Sequence, residues 1–138
     1  MKIPRHMIRE LAERFPGKKI VCLPEKDPTE VICEIDKDPA GKWSVAVAII
    51  GASKPHHHNA TYETYRVIRG SIRFFDDSAS GRHGRVLTPR TGFETVGPSM
   101  VHSACGIGRP AEVLVIANPA WTPEDHHLRE DILGPGRN

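Results

Sequence analysis

Three cysteines in 138 residues are few. Cys22, Cys33 and Cys105 are odd in number and widely spaced, which excludes a disulfide framework and a CxxC metal knuckle. Cys22 and Cys33 sit in apolar runs and read as small core residues. Cys105 lies just past a candidate ligand histidine and reads as core or as site lining. Long hydrophobic runs are also missing. The longest, residues 45–50, is strand-length and too short to cross a bilayer. The start, MKIPRHMIRE, lacks an apolar stretch followed by a small-residue cleavage site, so a cytoplasmic protein is expected. No charge of one sign dominates: the net charge is +2 with neutral histidine. Lys and Arg are scattered apart from pairs such as Lys18 and Lys19, with no basic stripe for a phosphate backbone. Neither a nucleic-acid nor a membrane partner is expected. No internal repeat is evident.

What is present is a turn-rich chain with twelve Pro and twelve Gly, of a length that suits one domain. Residues 4–15, PRHMIRELAERF, read as a short amphipathic helix with Met7, Ile8, Leu11 and Phe15 on one face. Pro4 fits the first turn, Pro16-Gly17 ends the helix, and His6 is an exposed helix residue. Strand-like runs follow: 19–23, 30–35, 43–50, 62–68, 71–75, 85–87, 93–96, 100–104 and 112–117. Turn clusters such as PEKDP and DKDPAGK separate them. Many short strands with almost no helix suggest a β-sandwich or barrel. The expected organisation is a helical segment over 1–17, a barrel core over about 18–117 and a tail over 118–138. In the tail, Thr122 is placed to cap a short helix with Pro123 in its first position. His126 and His127 either extend a metal site or are exposed, and exposure is the expectation because nothing else at ligand spacing accompanies them; 134–138 reads as frayed. Trp43 and Trp121 read as packing residues, Trp121 clamping the tail to the barrel.

The stretch PHHHNATYETYRVIRG, residues 55–70, concentrates three histidines, a glutamate and a glycine. On a strand His56 and His58 share one face and His57 takes the other. Glu63 is five residues beyond His58, an odd offset that puts it on the wrong face of an unbroken strand. A bend near Asn59-Ala60 restores it, and Asn suits a bend. A fourth ligand has to come from elsewhere. His102, on a short strand after a Pro-containing turn, is the best candidate; His83, in the loop SGRHG, is a weaker one. Three neutral imidazoles and one carboxylate make an N3O site for Fe, Mn, Ni, Co or Zn as the divalent ion, one per chain, with positions open for water or substrate.

Gly51, His56, His58, Glu63 and Gly70 resemble the first motif of the cupin family: glycine, HxH, three or four residues, Glu, six residues, Gly. Gly92, Pro98 and His102 resemble its second motif. There are departures. Four residues rather than five separate Gly51 from His56, and Ser99 and Met100 stand where a glycine usually follows the proline. Gly106 replaces a trailing Asn, and Phe93 replaces an Asp. The resemblance covers about residues 45–117, together with a tail like the Pro-Trp-x-Pro-Glu-Asp ending of some small bacterial cupins. It implies an all-β fold, a double-stranded β-helix or jelly-roll barrel with a short N-terminal helix. It also implies His56, His58, Glu63 and His102 as metal ligands, and a homodimer, for which the apolar strands at 19–23 and 30–35 offer a sheet edge.

The family's reactions are too varied for the resemblance to name one. A metal-dependent enzyme acting on a small polar metabolite, carbohydrate-like or carboxylated, is expected. In one version the metal acts as a Lewis acid in an isomerase-type reaction; in another, Fe(II) supports a dioxygenase. A small-ligand-binding protein without turnover is the alternative from another class. Tyr65 would face the interior, either donating a hydrogen bond to the ligand as a catalytic residue or filling the core. The strand parity of Arg73, Phe75 and Glu94 is left open.

Overall fold

The structure, a computed structural model, describes residues 1–129. The expectation for 134–138 lies outside the described residues. Helix α1 (Arg5–Arg14) comes first, then β1 (Ile20–Leu23), β2 (Glu30–Lys37), β3 (Ser44–Ile50), β4 (His56–His57), β5 (Tyr62–Arg69) and β6 (Ile72–Asp76). After them come β7 (Arg85–Leu87), β8 (Glu94–Val96), β9 (His102–Gly106), β10 (Ala111–Asn118) and β11 (His127–Leu128). Each strand expected from the sequence is present. The two-residue strands β4 and β11 are the additions, and both border the site.

The strands form two antiparallel sheets that face each other. One runs β1-β2-β3-β10-β5-β8 and the other β11-β4-β9-β6-β7. Ala48, Ile50, Tyr65, Val67, Ile72, Phe74, Leu87, Val96 and Val113 pack between the sheets. A second cluster lies on the outer face of the large sheet, where Leu11 of α1 and Ile3 cover Val31, Cys33, Val47 and Ile49. Strand β3 therefore buries side chains on both faces, with Val47 and Ile49 toward the helix and Ala48 and Ile50 inward. This explains why its sequence is apolar without alternation. Arg14 of α1 ties the helix down through a forked ion pair to the buried Glu112, at 3.0 and 3.1 Å, and Arg69 adds a bond to the same carboxylate at 2.9 Å.

Two turns carry backbone constraints. Gly70, between β5 and β6, has φ +82°, a conformation L side chains rarely adopt. Ser99 has φ 66°. It stands where the motif that the sequence resembles usually has glycine, and the backbone takes the left-handed shape a glycine would allow. Its N–H donates to His58 O at 2.6 Å, which ties the turn before β9 to the end of β4.

The tail departs from expectation. Residues Pro123–Asp125 make a single 3-10 turn, and Thr122 gives no side-chain cap. The helix does not continue because Asp125 and the residues after it are engaged by the barrel. Trp43 is 39% exposed and is not a packing residue; it precedes β3 in a hairpin, where its carbonyl accepts from Asp38 N–H. Trp121 does anchor the tail, its backbone N–H donating to Ser44 Oγ at 3.0 Å. No helix of the described residues is long and apolar enough to cross a membrane.

Candidate metal centre

His56, His58, Glu63 and His102 come together, each offering one ligand atom, and these atoms lie within 4.8 Å of one another. All four residues are buried. They reach one point from both sheets. His56 is on β4 and pairs in register with His102 on β9. Glu63 is on β5, in the opposite sheet. The chain bends at Asn59-Ala60 and crosses from one sheet to the other there. The odd offset from His58 to Glu63 is thus resolved by a change of sheet.

Each ring is held by its other nitrogen. His56 Nδ1 bonds Lys54 O at 2.7 Å, His58 Nδ1 bonds Asp125 O at 2.6 Å and His102 Nδ1 bonds Met100 O at 3.0 Å. A carbonyl oxygen only accepts, so each Nδ1 carries a proton and a neutral ring leaves Nε2 as a bare lone pair. His58 Nε2 is 2.8 Å and His102 Nε2 is 3.1 Å from Glu63 Oε1. Neutral rings would turn lone pairs on a carboxylate, so the arrangement calls for a positive charge between them. A proton can supply it. Burial opposes charge on His58, but the hydrogen bond and charge of Glu63 outweigh burial and hold its pKa above the ordinary value. Burial likewise opposes charge on Glu63, and hydrogen bonds from His102 and His58 overcome it, holding the carboxyl well below its usual range. Burial, then the neighbouring His102 and His126, keep His56 well below its ordinary value. Imidazoles preset in this tautomer beside one ionised carboxylate are a donor set that could hold a divalent transition metal ion.

Tyr65 lies against the cluster. Its hydroxyl donates to Glu63 Oε1 at 2.7 Å and is 3.1 Å from His102 Nε2. Burial, then the charge of Glu63, push the phenol well above its ordinary pKa. Tyr65 is both a core residue against Phe74, ring centroids 5.2 Å apart, and part of the cavity wall.

The remaining histidines divide. His83 is exposed on a 3-10 turn and His6 is exposed on α1, both away from the cluster. His57 stacks with His127, centroids 5.1 Å apart, across the β4–β11 pair. The reading of His126 and His127 as exposed is corrected. His126 stacks on His56, centroids 4.0 Å apart and rings 14° from parallel, and His127 is half-buried. The cause is Asp125. Its carboxylate accepts the N–H groups of Asn59 at 2.7 Å and Ala60 at 3.1 Å, pinning the tail over the bend. Burial first, then the positive charge of His58, lower the His126 pKa to about 4, so this roof residue is neutral.

A cavity opens beside the cluster, walled by His56, Glu63 and Tyr65 on the side of the cluster. Its floor is the inner face of the large sheet. Ala46 and Ala48 leave the space that larger side chains would fill, and Trp121 and His126 close the top. Glu30 and Glu34 join Glu63 on the wall, and among the described residues no Lys or Arg lines it. Arg73, Phe75 and Glu94 are absent from this lining; Arg85 bonds Asp76 at 2.7 Å and engages Glu94.

No protein-family model matches the chain, and no curated protein matches it. Solved structures do match. The Streptomyces nucleoside dehydratase Pac13 superposes with a TM-score of 0.65 at 15% identity, over 87% of this chain and 90% of that one. L-ribose isomerase from Geodermatophilus obscurus gives 0.60 at 15% identity, over 75% and 70%. KdgF from Halomonas sp. gives 0.58 at 14%, over 69% and 84%. At these identities the likeness is one of fold, and the fold is the cupin-type jelly-roll barrel.

Proposed function

We propose that the chain is a metal-dependent enzyme acting on a small, uncharged, polyhydroxylated molecule in an isomerase-type reaction. His56, His58, Glu63 and His102 are its ligands for one divalent ion per chain. The observation that carries this is the set of three imidazoles whose Nδ1 atoms are all fixed on backbone carbonyls while a carboxylate faces their free nitrogens. A bound ion would supply a Lewis acid for a carbonyl or hydroxyl oxygen. Tyr65 holds Glu63 in place through its hydroxyl.

The cavity lining favours an uncharged substrate over a carboxylated one. Glu30, Glu34 and Glu63 contribute three carboxyl groups, and among the described residues no Lys or Arg lines this cavity with them. Trp121 and the alanine floor suit the apolar C–H face of a sugar ring, with the hydroxyls left for the metal and the acids. One of the structures alike in fold is an L-ribose isomerase, and another is crystallised with uridine. The test is elemental analysis of untagged protein purified without chelator or metal resin, then assay of the loaded protein on aldopentoses and nucleosides. About one metal per chain with interconversion of an aldose and a ketose is the expected result; protein that takes up no metal sinks the proposal.

One observation favours a second reading, an Fe(II) dioxygenase: Ile32, Ala46, Ala48, Ile50 and Val115 make much of the cavity wall apolar. Substrate-dependent O2 consumption by the iron-loaded protein would establish it over the isomerase. The homodimer is proposed on the same footing. Strand β1 is one of the two edges of the large sheet among the described residues, where a second copy could pair, and a one-chain mass by light scattering refutes it.

A further inference from the structure

Glu30 is not among the clustered ligands, yet the fold brings it to the same cavity. It opens β2, and with Ile32 and Glu34 it faces inward, while Val31 and Cys33 face α1. The residue is only 9% exposed. Among the described residues it makes no hydrogen bond or ion pair. Glu30 and His126 also line a second groove, bounded by Leu23, Pro24, Ala52 and Lys54, so they stand where the inner space meets the outer one. A buried carboxyl without a partner costs stability. That cost has a use at a reaction site, where one group must give up and take back a proton.

We propose that Glu30 is the proton-transfer residue of this site, the carboxylate that moves hydrogen between adjacent carbons of a bound hydroxy-carbonyl sugar. The proposal rests on the isomerase reading above. For an aldose the C2–H bond breaks and its proton goes to the Glu30 carboxylate. The electron pair forms the C1–C2 double bond, and the C1 carbonyl becomes an enediolate oxygen. Glu30 then returns the proton to C1 while the C2 hydroxyl becomes the ketose carbonyl, its proton passing to the C1 oxygen. Atoms and electrons balance with no co-reactant.

The environment suits the task. Burial, then the negative charge of Glu63, raise the Glu30 pKa to about 7 in the metal-free chain, with His58 pulling the other way. Tyr65 is a poorer candidate because its proton is engaged on Glu63.

The experiment is solvent-deuterium incorporation, read by NMR, with metal-loaded protein and two kinds of probe: the D- and L-aldopentoses, and dihydroxyacetone. Wild-type protein should place deuterium on the carbon beside the carbonyl of at least one probe. Glu30→Gln should slow this by at least ~100-fold, with metal content and probe KM unchanged. If Glu30→Gln folds poorly, Glu30→Asp serves: withdrawing the carboxylate should lower kcat while KM holds. A Gln variant that exchanges at the wild-type rate overturns the role of Glu30 and leaves the isomerase reading standing. Wild-type protein that holds metal and neither interconverts nor deuterates any probe overturns both.

Discussion

One end of the barrel interior is packed like an ordinary core, and the other is polar and hollow. At the packed end Ile72, Phe74, Leu87, Val96 and Val113 fill the space between the sheets. At the other end three histidines and two glutamates are just as buried. The same strands serve both ends. Strand β5 carries Val67 in the first and Glu63 in the second, with Tyr65 between them touching Phe74 and Glu63. What differs is how each end meets its cost. The packed end gains from apolar area removed from water. The hollow end leaves space above Ala46 and Ala48 and offsets buried polar atoms with carbonyl anchors and ion pairs. The apolar packing is therefore concentrated at one end and the candidate metal centre at the other.

The largest predicted effect separates the ends outright. His102→Ala should take the metal content from about one ion per chain to none, while the chelator-treated variant keeps its fold. Elemental analysis and circular dichroism read the two outcomes, and a variant that retains metal would remove His102 from the ligand set. The converse is Phe74→Ala, fully buried at the packed end. It should cost about 3–5 kcal/mol in urea unfolding and leave the metal count per folded chain unchanged. A small cost there would mean that the hollow end carries the stability.

The sequence makes one side of this comparison plain and hides much of the other. His56, His58 and Glu63 lie within one short stretch of chain, so their spacing alone shows the cluster, and the Pro-containing turn before β9 brings His102 to it. The packed end is legible as β-branched runs. Glu30 is hidden because in EVICEI the apolar residues Val31 and Cys33 face outward under α1, while two of the inward residues are acids. That inverts the usual reading of strand alternation. His126 is hidden by distance: it meets His56 only because Asp125, far along the chain, finds two free N–H groups at the Asn59 bend. Nothing local in the tail signals that contact.

A pH test sharpens the hollow end. Glu30 holds its proton more tightly in the folded chain, its pKa moving from 4.5 to about 7. Between those values the folded state binds more protons than the unfolded one, so stability falls as pH rises across the window. The span is worth on the order of 3 kcal/mol. In chelator-treated protein, wild type should lose stability relative to Glu30→Gln between about pH 5 and about pH 8. Parallel unfolding curves would mean that Glu30 is not desolvated.

The smallest effect tests whether the tail belongs to the site or merely covers it. Asp125 does two things: its carboxylate holds the bend at Asn59-Ala60, and its carbonyl fixes the His58 ring. Asp125→Ala removes only the first directly, and the second follows if the bend and tail move together. The freed N–H groups are exposed to water, so the stability cost should be modest, about 1 kcal/mol. Loss of an outer partner of a ligand histidine lowers metal affinity by about 10-fold or more. Competition against a chelator should show that weakening with the stoichiometry unchanged. Unchanged affinity with lowered stability would make the tail a structural strap, and the hollow end would be complete with the barrel strands alone.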